Sequence, residues 1–393
     1  MKSIVTLFAA LALAASPIGN AGAAAKDPQS RTAAAKAKAK SKVKPGKAKP
    51  GKRISLKSSR VIKSAPAAAI DYDGEHSNFL EWQAMREFID EMVSRHRFER
   101  AELDSLFGQA RFIDSAVQLV KPMPPGKPKN WQVYSSRFIE PIRIKAGVRF
   151  WNENAATLAR AEAAYGVPAE IIVGIIGVET IYGRDTGKFR VVDTLATLAF
   201  GYPETPNRAK RMQFFREELA NTLLLAREQH IEPFSLLGSF AGAIGMPQFM
   251  PGSILKFAVD FNGDGHIDLR NSTDDAIGSV ANFLVQHGWN PAYRDAPALP
   301  ADVAPHRAWE PLLERGLAAT LRPEELRAAG VVVHESVPAE RLYGLVDLQN
   351  GAEPTEYWVA NDNFFAITKY NRSYFYAMSV IDLGKAVSRE RAR

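Results

Sequence analysis

Cysteine is absent from this chain of 393 residues. Its absence excludes disulfide bonds, thiol chemistry, zinc sites built on cysteine, and the lipid-bearing cysteine that anchors a lipoprotein. Internal repeats are also missing, and beyond residue 25 no apolar stretch reaches the roughly 20 residues that a membrane-spanning helix needs. Hydrophobic residues still make up 46% of the chain, so we expect two or three domains or subdomains with a sizeable core.

The first 25 residues have the pattern of a secretory signal peptide. Lys2 gives a basic start, residues 4–15 form an apolar run, and small residues at 21–23 precede a cleavage site after Ala23 or Ala25. We therefore expect the mature protein to be exported and soluble.

A strongly basic segment follows at residues 26–69. Between Lys26 and Lys63 the chain has fourteen Lys or Arg residues and one acid, Asp27, whereas the part from Ser64 onward has 35 basic and 42 acidic residues. The segment has almost nothing to bury, which predicts a disordered linker. It is interpreted either as a solvated spacer or as an arm that holds the protein near anionic envelope polymers or lipids. A nucleic-acid-binding tail has a similar composition, but export argues against it.

The centre of the chain is a helix that ends in one carboxylate. The apolar run IIVGIIGV predicts a helix buried on every side, with Pro168 in its first turn and Gly183 just past its end. Glu179 then lies in the last turn, where the negative end of the helix dipole and the loss of water both raise its pKa. A carboxyl that stays protonated at neutral pH is what a general acid needs. The alternative is a structural ion pair with Arg184 or Lys188.

Hydrophobic spacing elsewhere predicts a predominantly helical α+β fold. Further helices are expected over residues 78–98, 100–109, 141–165, 208–229, 276–287 and 377–391. From residue 291 the chain changes to proline-rich loops with short apolar runs, and strands are expected at 331–333, 342–348 and 357–360. These runs indicate a small mixed α/β insertion at 291–360, after which the chain returns to the core over 361–393.

A group of acidic residues has the spacing of a calcium-binding loop. Asp260, Asn262 and Asp264 begin a D-x-N-x-D-G pattern, in which alternate side chains supply oxygen ligands and the glycine turns the chain. His266 is at the seventh position and is expected to bind through its backbone carbonyl. Asn271 stands at the twelfth position, where a bidentate Glu is usual, so the expected affinity is weak. The alternative is an Asx-rich turn without metal.

Several motifs, in the same order along the chain, resemble those of the lytic murein transglycosylase B family. They are VETIYG at 178–183, VDTLATLAF at 192–200, SFAGAIGMPQFMPGS at 239–253, AVDFNGDGHIDL at 258–269, AIGSVANFLVQHGW at 276–289 and FFAITKYNRSYFYAM at 364–378. The resemblance extends from about residue 134 to the C-terminus. The chain differs from lipid-anchored members of the family in having no lipoprotein cysteine.

The resemblance implies a lysozyme-like catalytic core at 141–290, after an N-terminal helical region at 70–140. It implies that Glu179 is the single general acid/base in a non-hydrolytic cleavage of the MurNAc–GlcNAc β-1,4 bond of peptidoglycan, which leaves 1,6-anhydro-MurNAc ends. The residues that it places along the glycan are Tyr134, Ser239, Gln248, Tyr370, Asn371 and Tyr376. Taken alone, Tyr134 is an ordinary half-buried tyrosine, and residues 239–252 are a structural loop.

The resemblance also implies a structural Ca²⁺ ion and no cofactor for catalysis. The metal ligands that it implies are Asp260, Asn262, Asp264, His266 and Asp275, with Asp274 as the substitute for the last. The expected partners are peptidoglycan glycan strands and proteins of cell-wall synthesis or remodelling, and the expected location is the periplasm.

Two other functions stay open at this point. One is a hydrolytic muramidase of the same fold, in which water replaces the intramolecular hydroxyl. The other is a non-catalytic, calcium-dependent wall-binding scaffold, although the intact VETIYG motif favours an enzyme. Glycoside hydrolases usually need a second carboxylate. Asp185 and Asp193 are near Glu179 in the sequence, but no spacing argument selects either.

Overall fold

The computed structural model describes residues 78–122 and 128–393, so the predicted signal peptide and basic linker lie outside the described residues. These ranges contain fifteen α-helices and six β-strands. The helices are α1 (Gln83–His96), α2 (Arg100–Gln109), α3 (Asp114–Val120), α4 (Trp131–Ser135), α5 (Pro141–Glu153), α6 (Ala155–Tyr165), α7 (Ala169–Thr180), α8 (Val191–Gly201), α9 (Arg208–Glu228), α10 (Pro251–Phe257), α11 (Thr273–Gln286), α12 (Glu310–Leu313), α13 (Pro323–Ala328), α14 (Asp362–Ile367) and α15 (Tyr374–Arg391). The strands are β1 (Phe189–Arg190), β2 (Leu237–Gly238), β3 (Ala298–Val303), β4 (Val331–Val333), β5 (Gly344–Asn350) and β6 (Glu353–Ala360). The predicted α+β class with a helical majority is confirmed.

The predicted helices at α2, α9, α11 and α15 are confirmed, and the long helix predicted over 141–165 is wrong. It is two helices, α5 and α6, that meet at Asn154. Asn154 leaves the helical conformation (φ −117°, ψ 22°), and its side-chain amide donates to the carbonyl of Phe150 at 2.8 Å. The same carbonyl accepts from the backbone amide of Asn154 at 3.0 Å, and a side-chain bond of this kind favours the end of a helix over its continuation. The helix expected at 78–98 is shorter at its start, because residues 79–81 form a 3₁₀ turn before α1.

Helix α7 is the buried centre of the molecule. Its residues are buried from Ala169 to Thr180 except for Glu170 at the first turn. Glycines let α15 pack directly on its backbone: a Cβ atom at Gly174 would lie 2.2 Å from the carbonyl oxygen of Val380, and one at Gly384 would lie 2.2 Å from that of Glu170. No single helix in the described ranges is long and apolar enough to cross a membrane; α6 and α7 reach that length only as a pair, bent by 116° at the break between them.

The C-terminus of α7 adopts a conformation that its residues do not favour. Ile181, Tyr182 and Gly183 all have left-handed backbone angles (φ 52°, 58° and 82°). Left-handed angles cost an L-residue with a side chain roughly 1–2 kcal/mol, and glycine almost nothing. The helix therefore ends at Thr180, three residues before the glycine that was expected to lie just past its end, and Pro168 caps its start rather than entering its first turn. Backbone strain of this kind is often found beside functional groups.

The C-terminal third contains a four-stranded antiparallel sheet in the order β4–β3–β6–β5. The three predicted strands are confirmed as β4, β5 and β6, whereas β3 was not predicted because Pro300 interrupts its sequence. Pro300 pairs with Trp358 of β6, but β4 pairs only with residues 301–303 of β3. A proline is tolerated at position 300 because the side of β3 that faces β4 is unpaired there, so no donor is needed. A separate small core lies under the sheet and is formed by Trp309, Leu321, Leu326, Val331, Tyr343, Leu345 and Val359.

Candidate active site

The carboxyl group of Glu179 is fully buried at the end of α7, as the sequence predicts. Its exposed fraction is 0%, and its Oε1 accepts a hydrogen bond of 2.5 Å from the hydroxyl of Tyr376, at the start of α15. Its Oε2 is buried without a hydrogen-bond partner among the described residues. The alternative ion pair is not favoured, because Arg184 and Lys188 are both exposed. One oxygen of the carboxyl is thus held by the protein, and the other is left for a ligand.

Burial raises the pKa of Glu179 from 4.5 to about 8, and the hydrogen bond from Tyr376 opposes this rise. Loss of water is the main cause, because an ionised carboxylate is poorly solvated among apolar side chains. No negatively charged neighbour within the described residues contributes to the shift. At neutral pH the carboxyl is therefore mostly protonated, which is the state required of a general acid.

Three tyrosines from two parts of the chain lie near this carboxyl. The rings of Tyr370 and Tyr376 stack with centroids 6.3 Å apart and planes 16° apart, and the Tyr370 hydroxyl donates to the carbonyl of Pro247 at 2.8 Å. Burial raises the pKa of Tyr134 to about 12, and the charge of Glu179 adds to the rise, so the Tyr134 hydroxyl is close enough to the carboxyl to interact with it electrostatically. The fold thus brings together three tyrosines that the resemblance assigns to the groove.

Asn371 contributes a second polar atom without a partner. It is 8% exposed, and its Oδ1 is buried with no hydrogen-bond partner among the described residues. A buried oxygen left unpaired costs free energy, roughly 1–3 kcal/mol, unless a ligand or water satisfies it. Asn371 directly follows Tyr370, so this acceptor belongs to the same part of the chain as the stacked tyrosines.

The glycine-containing loop at 239–252 keeps its two predicted groove residues engaged with backbone. Gln248 has a left-handed backbone (φ 52°), and its side-chain nitrogen donates to the carbonyls of Thr186 and Gly245 at 3.1 and 2.9 Å. The hydroxyl of Ser239 accepts from the amide of Ala243 at 3.1 Å. These contacts shape the loop, and direct contact of either side chain with a glycan stays a prediction.

Sequence reasoning missed Thr180, which joins this loop to α7. Its hydroxyl donates to the carbonyl of Met246 at 2.8 Å and accepts from the amide of Gly183 at 3.0 Å. Thr180 is fully buried and is adjacent to Glu179 in the sequence. A threonine in the last turn of a buried helix is a signal that could have been used, because a buried hydroxyl needs a partner.

The two acids considered as partners for Glu179 have environments unlike its own: one is buried in a structural contact, and the other is exposed. Asp193 is fully buried, and its carboxylate accepts from Arg190 Nε at 2.6 Å and from the amide of Arg111 at 3.1 Å. Asp185 is exposed to solvent. Asp193 therefore joins the start of α8 to the segment that follows α2, and its contacts are those of a structural residue.

The acidic loop at 260–275 is folded by hydrogen bonds from its backbone amides to its acidic side chains. Asp260 accepts from the amides of Gly263 and Gly265 at 2.7 Å each, and both glycines have left-handed backbone angles. Asp264 accepts from the amide of His266 at 2.8 Å. The donor set consists of side-chain and backbone oxygens, which suits a hard cation such as Ca²⁺.

Asp275 has a different environment from the other predicted ligands. It is fully buried, its Oδ1 accepts from the amide of Phe261 at 2.9 Å, and its Oδ2 accepts from that of Asp268 at 2.9 Å. Within residues 78–122 and 128–393, no group of three or more His, Cys, Asp or Glu side chains is arranged to hold a metal ion. As arranged here, Asp275 orders the loop backbone, and its role as a metal ligand stays a prediction.

A mostly helical fold around one buried, protonated carboxyl and several tyrosines defines the class of lysozyme-like enzymes that act on glycans. Comparison with known families agrees, because residues 81–385 match the transglycosylase SLT domain. The chain is 42% identical over 317 residues to the membrane-bound lytic murein transglycosylase B of Escherichia coli K12. The aligned region covers 78% of this chain and 83% of that protein. The chain therefore belongs to this family of lytic transglycosylases.

Solved structures give the same result. The lytic transglycosylase Slt35 of Escherichia coli, solved in complex with calcium, superimposes with a TM-score of 0.71 at 41% identity, over 81% of this chain and 96% of that one. SltB3 of Pseudomonas aeruginosa, in complex with NAG-anhNAM-pentapeptide, superimposes with a TM-score of 0.66 at 25% identity, over 79% of this chain and 80% of that one. The predicted lysozyme-like core is confirmed by these similarities.

Proposed function

We propose that this protein cleaves the β-1,4 bond between N-acetylmuramic acid and N-acetylglucosamine in peptidoglycan without water and leaves 1,6-anhydro ends. The observation that carries the proposal is the carboxyl of Glu179, which is fully buried and has a pKa raised to about 8. Membership of the lytic transglycosylase family supports the same reaction.

In the first step, Glu179 donates its proton to the glycosidic oxygen, and the bond from that oxygen to C1 of the muramic acid breaks. The unpartnered Oε2 is the oxygen free to face the substrate, since Oε1 is bonded to Tyr376. The carbonyl of the substrate's own acetamido group can assist from the other face of the sugar ring. Proton donation by a positioned carboxyl typically accelerates a reaction about 10²–10⁴-fold.

In the second step, the carboxylate of Glu179 takes the proton of the muramic acid 6-hydroxyl, and that oxygen bonds to C1. The same residue therefore acts first as acid and then as base, and no water is consumed. A hydrolase would use a second carboxylate to activate water. The two candidates for that role are an aspartate bound to Arg190 and an exposed aspartate, and this supports a mechanism with Glu179 alone.

The glycan is held by the groove residues. Tyrosine rings pack against sugar faces, and their hydroxyls bond to sugar oxygens, so Tyr134, Tyr370 and Tyr376 suit this task. The unpartnered Oδ1 of Asn371 can accept from an acetamido N–H. Ser239 and Gln248 would complete the groove from the loop. The complex of SltB3 with NAG-anhNAM-pentapeptide supports a ligand of this kind.

We further propose that the acidic loop binds a structural Ca²⁺ ion through Asp260, Asn262, Asp264, the carbonyl of His266 and Asp275. Its oxygen-only donor set and the calcium complex of Slt35 support this proposal. The ion would stabilise the loop, and catalysis needs no cofactor. The signal-peptide pattern supports export to the periplasm, where the protein would meet glycan strands and cell-wall proteins.

The test is mass spectrometry of purified peptidoglycan after digestion by the wild type and by the Glu179→Gln variant. We expect anhydromuropeptides from the wild type and none from the variant. Products with hydrated reducing ends would show that the protein is a hydrolytic muramidase instead. Retained glycan binding without products from either protein would replace it by a wall-binding scaffold.

A further inference from the structure

We infer that Asn350, at the tip of the β5–β6 hairpin, is a positioning residue that holds Tyr134 in the glycan-binding groove. The inference rests on the proposed function, because the place of Tyr134 matters only if the groove binds a glycan. It gives the four-stranded sheet a role in substrate binding, although the sheet itself contributes none of the predicted groove residues.

Asn350 is a polar residue that the fold buries at the end of a strand. It is 2% exposed, and the pairing of β5 with β6 shifts register between Leu348 and Asn350. An irregularity of this kind turns a side chain away from the regular ladder. Burial of an amide is unfavourable unless its polar atoms are hydrogen-bonded, so the partners of Asn350 indicate its role.

The side chain of Asn350 bonds in two directions. Its nitrogen stays within the hairpin and donates to the carbonyl of Pro354 at 3.2 Å and to Glu356 Oε1 at 3.4 Å. Its Oδ1 accepts from the backbone amide of Gln132 at 3.0 Å. Gln132 lies in the first turn of α4 and is 218 residues away in the sequence. The amide therefore links the sheet to α4.

Two further bonds join the same pair of segments. The side-chain nitrogen of Asn130 donates to the carbonyl of Asn350 at 3.2 Å, and the amide of Gly351 donates to the carbonyl of Lys129 at 2.9 Å. Asn130 also caps α4, because its Oδ1 accepts from the amide of Val133 at 2.9 Å. The hairpin tip and the start of α4 thus form one hydrogen-bonded unit.

Helix α4 depends on such contacts because it has only five residues. A single helical turn is not stable by itself, so tertiary contacts decide where it lies. Its opposite side packs on α15, where Phe375 lies 5.5 Å from the ring of Trp131 and 5.4 Å from that of Tyr134. The next residue, Tyr376, holds Glu179. Tyr134 is therefore located between the hairpin and α15, the helix whose Tyr376 donates to the carboxyl of Glu179.

Loss of the Asn350 amide should shift α4 and Tyr134 while leaving the carboxyl of Glu179 in place. Binding of the glycan would weaken, but proton transfer in the bound complex would not change. The expected result is a higher KM with an unchanged kcat and an unchanged pH profile. A residue that only stabilised the fold would not give this separation of KM from kcat.

The experiment compares four variants of the full chain. Asn350→Ala removes the bond to α4, whereas Asn350→Asp keeps an oxygen for the Gln132 amide and loses the donors used within the hairpin. Asn130→Asp keeps the helix cap but loses the donor to Asn350. Gln349→Ala is the matched control, because this exposed neighbour bonds only to Asp347 at 2.7 Å. KM and kcat are measured on purified peptidoglycan, and affinity for a β-1,4-linked N-acetylglucosamine tetramer is measured with Glu179→Gln added.

We expect Asn350→Ala to weaken binding and raise KM about three- to tenfold, as the loss of one or two hydrogen bonds implies. Asn130→Asp should act in the same direction. Asn350→Asp should do so as well, because its buried carboxylate would meet the Pro354 carbonyl and Glu356 Oε1, to which the amide donates. Gln349→Ala should stay within about twofold of the wild type. Should Asn350→Ala fail to fold, Asn130→Asp decides the matter alone. Wild-type affinity and KM in both variants would overturn the inference.

A double-mutant cycle tests whether Asn350 acts through Tyr134. Tyr134→Ala should weaken tetramer binding about tenfold in the parent protein, but less than about twofold when Asn350→Ala is already present. If the loss of affinity in the double variant equals the product of the two single losses, the residues act independently and the inference is overturned. The proposed function is tested separately, because a wild type that forms no anhydro products contradicts that proposal. If the wild type does form them, but the losses of affinity in Tyr134→Ala and Asn350→Ala are independent of each other, only the role of Asn350 is contradicted.

Discussion

The hydroxyl of Tyr376 lies 2.5 Å from Oε1 of Glu179, although the two residues are 197 positions apart in the sequence. This bond fixes one oxygen of the carboxyl and leaves Oε2 without a partner among the described residues. It also lowers the pKa of Glu179, against the larger rise that burial causes. One residue of the C-terminal helix therefore orients the carboxyl of Glu179 and limits the rise in its pKa that burial causes.

Replacement of Tyr376 by Phe should affect both properties. We expect kcat to fall about tenfold, because the carboxyl loses the bond that orients it. The pKa of Glu179 should rise further, so the alkaline limb of the kcat/KM profile should move to higher pH. Tyr370→Phe is the control, since its hydroxyl bonds to the carbonyl of Pro247. An alkaline limb that moves equally in both variants, or in neither, would contradict this role of Tyr376.

Glu179 should reduce the stability of the folded protein near neutral pH. Between its unfolded pKa of 4.5 and its folded pKa of about 8, the unfolded chain releases this proton while the folded chain keeps it. Stability is therefore highest below the unfolded pKa and is lost as the pH rises to the folded value. Glu179→Gln should raise the free energy of unfolding at pH 7 by up to about 3 kcal/mol, and by much less at pH 4.

Thermal unfolding of the wild type and of Glu179→Gln across this pH range checks the prediction. Asp185→Asn is a suitable control, because that carboxyl is exposed. A stabilisation by Glu179→Gln that is the same at pH 4 and at pH 7 would show that ionisation of Glu179 is not the cause.

Two acids of the proposed calcium loop should respond differently to removal. Asp275 is fully buried and accepts from the amides of Phe261 and Asp268, so Asp275→Ala should lower the free energy of unfolding by about 3 kcal/mol or more even in EDTA. We expect Ca²⁺ to raise the Tm of the wild type. Asp264 is exposed, so Asp264→Ala should change little in EDTA but should abolish that rise. Calorimetric scans with EDTA, Ca²⁺ and Mg²⁺ measure both effects. No rise in wild-type Tm with Ca²⁺ would exclude the metal site.

Glycine to alanine substitutions should have opposite effects in two helices. At Gly174 a Cβ atom would lie 2.2 Å from the carbonyl oxygen of Val380, so Gly174→Ala must push α15 away from α7. We expect a loss of about 2–3 kcal/mol, together with lower activity, because α15 carries Tyr376. At Gly108 the nearest atom is Leu80 Cδ1 at 3.5 Å, so Gly108→Ala in α2 should stabilise the protein by about 0.5–1 kcal/mol. Urea titrations of both variants provide the comparison.

The catalytic helix and its carboxyl could be predicted from local sequence. An unbroken apolar run predicts a buried helix. A carboxylate at the end of that helix is then also removed from solvent, and this desolvation raises its pKa. Short apolar runs likewise predicted three strands of the sheet. The prediction failed at Asn154 and at Pro300, where a side-chain hydrogen bond in one case and an unpaired strand edge in the other decided the structure.

The tertiary structure alone decided which distant groups meet. The partner of Glu179 is a hydroxyl on the last helix, the buried Asp193 accepts from the amide of Arg111, and Asn350 reaches α4 from 218 residues away. Spacing within a segment carries no information about such contacts, because they depend on how distant elements pack. The sequence by itself thus determined the helix, the acid and its loss of water, whereas packing determined the orientation of the acid and the place of its groove.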